Sequence, residues 1–146
     1  MGTRADFYTR TPAGLDWQGS VAWDGYDINE MSEKHAPKSP RNQSCWDVKA
    51  ATSEKAFRAA LQSYFSHRDD VTLPAMGWPW PWKDSRTTDM AYVFDGGAVR
   101  QFSWGKEIVE GDDDGAGAEP EGGWPDMTAQ QSVTLGKRSG VIVIGS

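Results

Sequence analysis

The 146-residue chain has little of what metal and nucleophilic chemistry is usually built from: one cysteine, Cys45, and two histidines, His35 and His67. A single cysteine excludes an internal disulfide. A zinc site takes four protein ligands, or three and a water, and these three residues have no paired spacing, so no metal is expected. A Cys45–His dyad has no local signature behind it. The sequence contains no Gly-Lys-Ser/Thr phosphate loop, no Gly-x-Ser-x-Gly elbow and no Gly-x-Gly-x-x-Gly after a strand. No cofactor is therefore expected. No apolar run approaches the ~18 residues of a membrane span. The opening Met-Gly-Thr-Arg-Ala-Asp lacks the apolar core of a signal peptide, and Asp6 stands where a myristoylation signal needs Ser or Thr. A reducing cytoplasm is the expected location, which leaves the Asn42-Gln43-Ser44 sequon idle. There is no basic stripe, so direct nucleic-acid binding is disfavoured. There is no internal repeat.

Acidic residues and tryptophan are what the chain has in quantity. The net charge is −6, and it is concentrated. Glu107, Glu110, Asp112, Asp113, Asp114, Glu119, Glu121 and Asp126 follow one another with no Lys or Arg between them, so the rest of the chain is nearly neutral. By length this is one domain, over residues 1–146, with a flexible acidic loop at about 107–123. The Gly/Ala/Asp composition of residues 111–123 is that of a solvated, low-complexity segment. Consecutive Asp112-Asp113-Asp114-Gly115 lack the alternate spacing of a calcium loop. The stretch could dock on a basic groove of a partner, since complementary potentials steer association; an inert solvated loop is the plainer reading.

Eight residues are Trp, and three of them fall in the run Gly77-Trp78-Pro79-Trp80-Pro81-Trp82. Proline fixes φ near −65° and turns the preceding residue away from helix. The run is therefore extended and stiff. One reading makes it a plug for a core thin in Leu and Ile, since each buried aromatic removes on the order of 150–250 Å² from water. The other makes Trp78, Trp80 and Trp82 a recognition surface for a sugar ring, a base or a Pro-rich partner. Asp69, Asp70, Asp84 and Asp89 flank the run, so a glycosidase-type acid pair is one further reading. The partner-binding candidates are thus Trp78, Trp80, Trp82, Asp112, Asp113, Asp114, Glu119 and Glu121.

The pattern along the chain predicts an α+β fold: a mainly antiparallel sheet of about five or six strands with one principal helix on one face. Residues 4–10 suit a strand. After the Thr11-Pro12-Ala13-Gly14 turn, Leu15, Trp17, Gly19, Val21 and Trp23 alternate with polar residues, as in a half-buried strand. Residues 29–47 read as a long surface loop with at most a short helical turn, anchored by Cys45-Trp46. A helix over 53–67 starts at Thr52 or Ser53, with Phe57, Leu61, Tyr64 and Phe65 as its apolar stripe. Residues 90–94 and 98–104 form a hairpin about Asp95-Gly96-Gly97, with a register ambiguous by one residue. Residues 132–135 and the buried strand 141–144 follow, separated by the turn Gly136-Lys137-Arg138-Ser139-Gly140, which could also hold a phosphate. The helix stripe should face Trp17, Val21, Trp23 and strand 141–144.

Three blocks resemble small uncharacterised proteins carried by phages and other mobile elements of proteobacteria. They are Arg4–Tyr8 with Trp17–Tyr26, Asp69–Val99 around the Trp-Pro-Trp-Pro-Trp core, and Trp124–Met127 with Val133–Ile144. The resemblance implies a non-enzymatic protein-binding inhibitor in the host cytoplasm, in the manner of anti-CRISPR proteins that block a host defence complex. A small hydrolase acting on sugar or nucleotide, and a phage structural or assembly component, are the alternatives.

Overall fold

The first hairpin places β1 (Ala5–Thr11) against β2 (Gly14–Val21). This computed structural model of the chain describes residues 2–108 and 117–127. After β2 come three helices, α1 (Asp27–Glu30), α2 (Gln43–Lys49) and α3 (Glu54–Ser66). Four strands follow: β3 (Val71–Thr72), β4 (Met90–Asp95), β5 (Ala98–Ser103) and β6 (Lys106–Ile108). The described strands form one sheet in the order β3-β2-β1-β4-β5-β6. Every neighbouring pair is antiparallel except β1 and β4, which run parallel. This is the α+β architecture expected, with α3 as its principal helix. The expected strand over 141–144 and the turn before it lie outside the described residues.

Local chemistry accounts for α3. The Ser53 hydroxyl accepts the Ala56 N–H at 3.1 Å and caps the first turn, where Glu54 also faces the positive end of the helix dipole. Phe57, Leu61 and Tyr64 recur on one face and are buried against Ala5 and Phe7 of β1, Val21 of β2, and Met90, Tyr92 and Phe94 of β4. Phe65 packs at the margin of that cluster, its ring 5.5 Å from that of Phe7.

Strand β2 departs from the expected alternation. Phe7 pairs with Gly19 but Tyr8 pairs with Trp17, so Gln18 has no opposite residue and forms a β-bulge. One extra residue reverses every side chain beyond it. Val21 therefore faces the helices, while Leu15 and Trp17 face the other side of the sheet. Gly19 makes the bulge possible: its φ is +146°, and the Phe65 ring occupies the space a Cβ would need, 2.9 Å away. Strand β2 ends at Val21, and Trp23 lies beyond it, 54% exposed. The expectation that Trp17 and Trp23 share the helix face with Val21 is thus corrected. The expected loop over 29–47 is also more ordered, holding the end of α1 and the start of α2. Its anchor is the Trp46 indole N–H, which donates to Ala36 O at 3.0 Å.

The parallel pairing of β1 and β4 dictates what happens on the far side. The chain leaves edge strand β3 and must return to the middle of the sheet. It does so through residues 73–89, crossing the face opposite the helices. Strands β1 and β4 are therefore buried on both faces, which is why Met90-Ala91-Tyr92-Val93-Phe94 is apolar throughout. The second core comprises Tyr8, Trp17, Ala91, Val93 and Phe102 from the sheet, closed by Trp78, Trp124 and Met127.

Candidate functional site

The crossing segment is the most chemically elaborate part of the structure. Gly77, with φ of +92°, turns the chain into it. Prolines 79 and 81 then hold three indoles in fixed succession. Trp78 is buried, edge-on to Trp17 at 5.0 Å between centroids, and its N–H donates to Trp82 O at 2.6 Å. Trp80 and Trp82 are half-buried and stack on each other at 5.6 Å and 19°. Their N–H groups point inward. Trp80 Nε1 donates to Asp6 Oδ1 at 2.7 Å, and Trp82 Nε1 to Thr88 Oγ1 at 2.9 Å. Trp78 thus fills the core, while Trp80 and Trp82 pack against its margin and keep part of their carbon surface outward.

Asp6, fully buried on β1, is the hub beneath the run. Its Oδ1 accepts the Ser20 hydroxyl at 2.6 Å as well as the Trp80 N–H, and its Oδ2 accepts the Ser85 hydroxyl at 2.7 Å. Ser85 gives its only proton to Asp6, so the Tyr8 hydroxyl donates to Ser85 Oγ, at 2.7 Å. Ser20 Oγ in turn accepts from Trp17 Nε1 at 3.0 Å. Burial raises the Asp6 pKa above the ordinary carboxylate value, and the hydrogen bonds from Ser20, Trp80, Ser85 and Thr88 oppose that rise. The Tyr8 phenol is pushed far up by burial and then by the Asp6 charge. Serine, tyrosine and carboxylate in contact could suggest a nucleophile and base. Yet Asp6, Tyr8 and Ser85 are each 0% exposed, so none of the three presents surface to a substrate in solution. What the cluster does is fasten the crossing segment to the sheet.

The flanking acids are also engaged. Asp70 takes two hydrogen bonds from Arg68, at 2.8 Å each, and accepts the Ala22 and Trp23 backbone N–H groups. Asp84 caps the Ser85–Thr87 turn and pairs with Arg86. Asp89 accepts the Arg4 backbone N–H at 3.0 Å. Asp69 is exposed. Half-buried Cys45 has its thiol raised to about 11, by burial first and the Asp27 charge second, which keeps it protonated and unreactive at neutral pH. His35 and His67 are exposed. Among the described residues, no group of three or more His, Cys, Asp or Glu is placed to hold a metal ion, and no helix is long and apolar enough to cross a membrane.

Of the acidic candidates, Asp112, Asp113 and Asp114 lie outside the described residues. Glu119 pairs with Arg86 at 2.7 Å, and the Glu121 carbonyl accepts from Arg10. Glu107 sits in β6, where its carboxylate takes two hydrogen bonds from Arg100, and its N–H donates to Ala118 O at 3.0 Å. The described flanks of the acidic stretch are therefore fastened to the sheet.

Sequence reasoning did not find Trp104. It occupies the first position of the two-residue Trp104-Gly105 turn between β5 and β6, where Ser103 pairs with Lys106. Its φ is +52° and it is 60% exposed. Left-handed backbone costs a residue with a Cβ roughly 1–2 kcal/mol, and such turns are normally built from Asn, Asp or Gly. The turn adjoins the crossing segment. Trp104 N–H donates to Thr88 O, and the Thr88 hydroxyl accepts from Trp82. The Trp-Gly dipeptide after a β-rich run was the available signal.

Comparison with protein-family models, with curated proteins and with solved structures finds no match for the chain.

Proposed function

We propose that this chain is a non-catalytic protein-binding domain that acts by occupying a surface on another protein. The carrying observation is Trp104: a large aromatic side chain held 60% exposed, at a turn position that disfavours it. Local rules broken without a stabilising return mark functional positions. Tryptophan at the centre of an interface is also the residue type most often found to dominate binding energy. Trp82 is tied to the Trp104 turn through Thr88, and Trp80 stacks on Trp82, so the surface has more than one aromatic. The resemblance to small mobile-element proteins gives the partner class: a host defence complex of the CRISPR type, which the domain would inhibit by masking.

The test is affinity capture from host lysate with the wild-type chain and with Trp104→Ala. A stoichiometric partner retained by the first and lost by the second supports the reading. No stoichiometric partner, or equal retention by both, would refute it.

A further inference from the structure

Arg4 stands at the outer surface of the crossing segment. It is exposed, and its Cζ lies 5.6 Å from the ring centroids of both Trp80 and Trp82, which are themselves 5.6 Å apart. The three groups form a nearly equilateral cluster. Arg10, Arg58, Arg68, Arg86 and Arg100 pair with carboxylates, and Arg41, far from this cluster in sequence, does not among the described residues. The Arg4 guanidinium has no such partner among the described residues. Asp89 accepts the Arg4 backbone N–H, not its guanidinium, at 3.0 Å. Lys83, next after Trp82, is likewise exposed and without an ion pair among the described residues.

We infer that Arg4, held against Trp80 and Trp82, is a carboxylate-receiving site for an acidic, apolar segment of the protein partner. This rests on the protein-binding reading above. The physics is that of a guanidinium seated on aromatic surface. The rings attract the cation and limit its rotamers. Its planar N–H fork stays free for two parallel bonds to a carboxylate, which a lysine cannot reproduce. Because both indole N–H groups are turned inward to Asp6 and Thr88, the rings offer only hydrocarbon to what lies beside the carboxylate. The recognised segment therefore alternates acid with apolar side chains. A phosphate backbone fits less well. The chain is net −6, and among the described residues only Arg4 and Lys83 offer unpaired positive charge at this cluster.

The test follows the tryptophan indole N–H resonances of the full chain by NMR during titration. The probes are a terminally blocked peptide of alternating Glu and Leu, the same peptide with Gln for Glu, and oligo(dT). The Glu peptide is expected to shift the Trp80 and Trp82 resonances saturably, less so at about 150 mM salt than at low salt. Arg4→Ala and Arg4→Lys should each weaken binding by about tenfold or more, with the Trp78 resonance and the melting temperature unchanged as evidence of an intact fold. Equal binding by Arg4→Ala, equal binding of the Gln peptide, or tighter binding of oligo(dT) would overturn the inference. Binding that appears only after Glu110, Asp112, Asp113 and Asp114 are changed to their amides would assign the site to the chain's own acidic stretch, and would also overturn it. If Trp104→Ala abolishes capture of the lysate partner while Arg4→Ala does not, the carboxylate site fails and the protein-binding reading stands. If neither variant affects capture, both fail.

Discussion

Replacing Asp6 separates its value as an acceptor from its cost as a buried charge. Asp6→Ala leaves the Ser20, Ser85 and Thr88 hydroxyls and the Trp80 N–H without their partner. The hydroxyls can rotate, but the Trp80 N–H is fixed by its prolines and ring stacking. A stranded buried donor costs about 1–3 kcal/mol. Removing the desolvated charge offsets part of the remaining loss, so the net destabilisation should be about 2–4 kcal/mol. Asp6→Asn keeps the Oδ1 acceptor for Ser20 and Trp80 and presents an amide donor to Ser85, whose hydroxyl can turn to Tyr8. It should lie within about 1 kcal/mol of wild type near neutral pH. The pH dependence has a definite sign. The Asp6 pKa is raised in the folded state, so the folded form binds this proton more tightly than the unfolded form. Its contribution to stability is greatest below the unfolded value of 3.8 and is lost as pH rises through the folded value. Wild type should therefore gain on Asp6→Asn as the solution is acidified. Urea unfolding followed by tryptophan fluorescence, at neutral pH and in mild acid, reads both effects. A loss under about half a kcal/mol in Asp6→Ala, or a wild-type advantage over Asp6→Asn that shrinks in acid, would refute the reasoning.

Leu61, 3% exposed beneath α3, should cost roughly 2–5 kcal/mol on change to Ala; a loss under about half a kcal/mol would mean the stripe is not core. Trp104→Gly should raise unfolding stability by about 1 kcal/mol through relief of the left-handed turn, and a clear drop would show that the indole supports the fold. Iodoacetamide should label Cys45 slowly near neutral pH and faster as pH rises toward about 11, whereas rapid labelling at neutral pH would contradict the burial effect. Changing Asp112, Asp113 and Asp114 to Asn should leave on-rate and its salt dependence for the captured partner unchanged if the stretch only solvates the chain. A salt-sensitive on-rate that collapses in the variant would show that it steers association.

Features that depend on neighbours in sequence were legible. Helix α3 was readable because the Ser53 cap and the apolar stripe are local. The hairpin was readable because Gly96-Gly97 supplies two left-handed residues, with φ of +65° and +97°; its register ambiguity resolves with Asp95 opposite Ala98. Features that depend on distant pairing were not. One unopposed residue at Gln18 leaves composition and alternation intact, yet moves Trp17 to the other face. The parallel β1–β4 pair has no signature in either strand alone. Asp6 was not singled out within the strand over 4–10, because nothing near it announces that residues 73–89 will cover that side. The Trp-Pro run was recognised as exceptional, but only the crossing geometry distinguishes buried Trp78 from the half-buried Trp80 and Trp82. Strand β5 was taken to include Trp104, which concealed the second turn and its exposed indole.

The proposal that Trp104 anchors a partner is tested most directly by titrating the captured partner, once purified, against the wild-type chain and Trp104→Ala in a calorimeter. The account predicts a loss of at least about 2 kcal/mol, roughly thirtyfold in Kd, with both proteins folded and equally stable. Equal affinity for the two would contradict it.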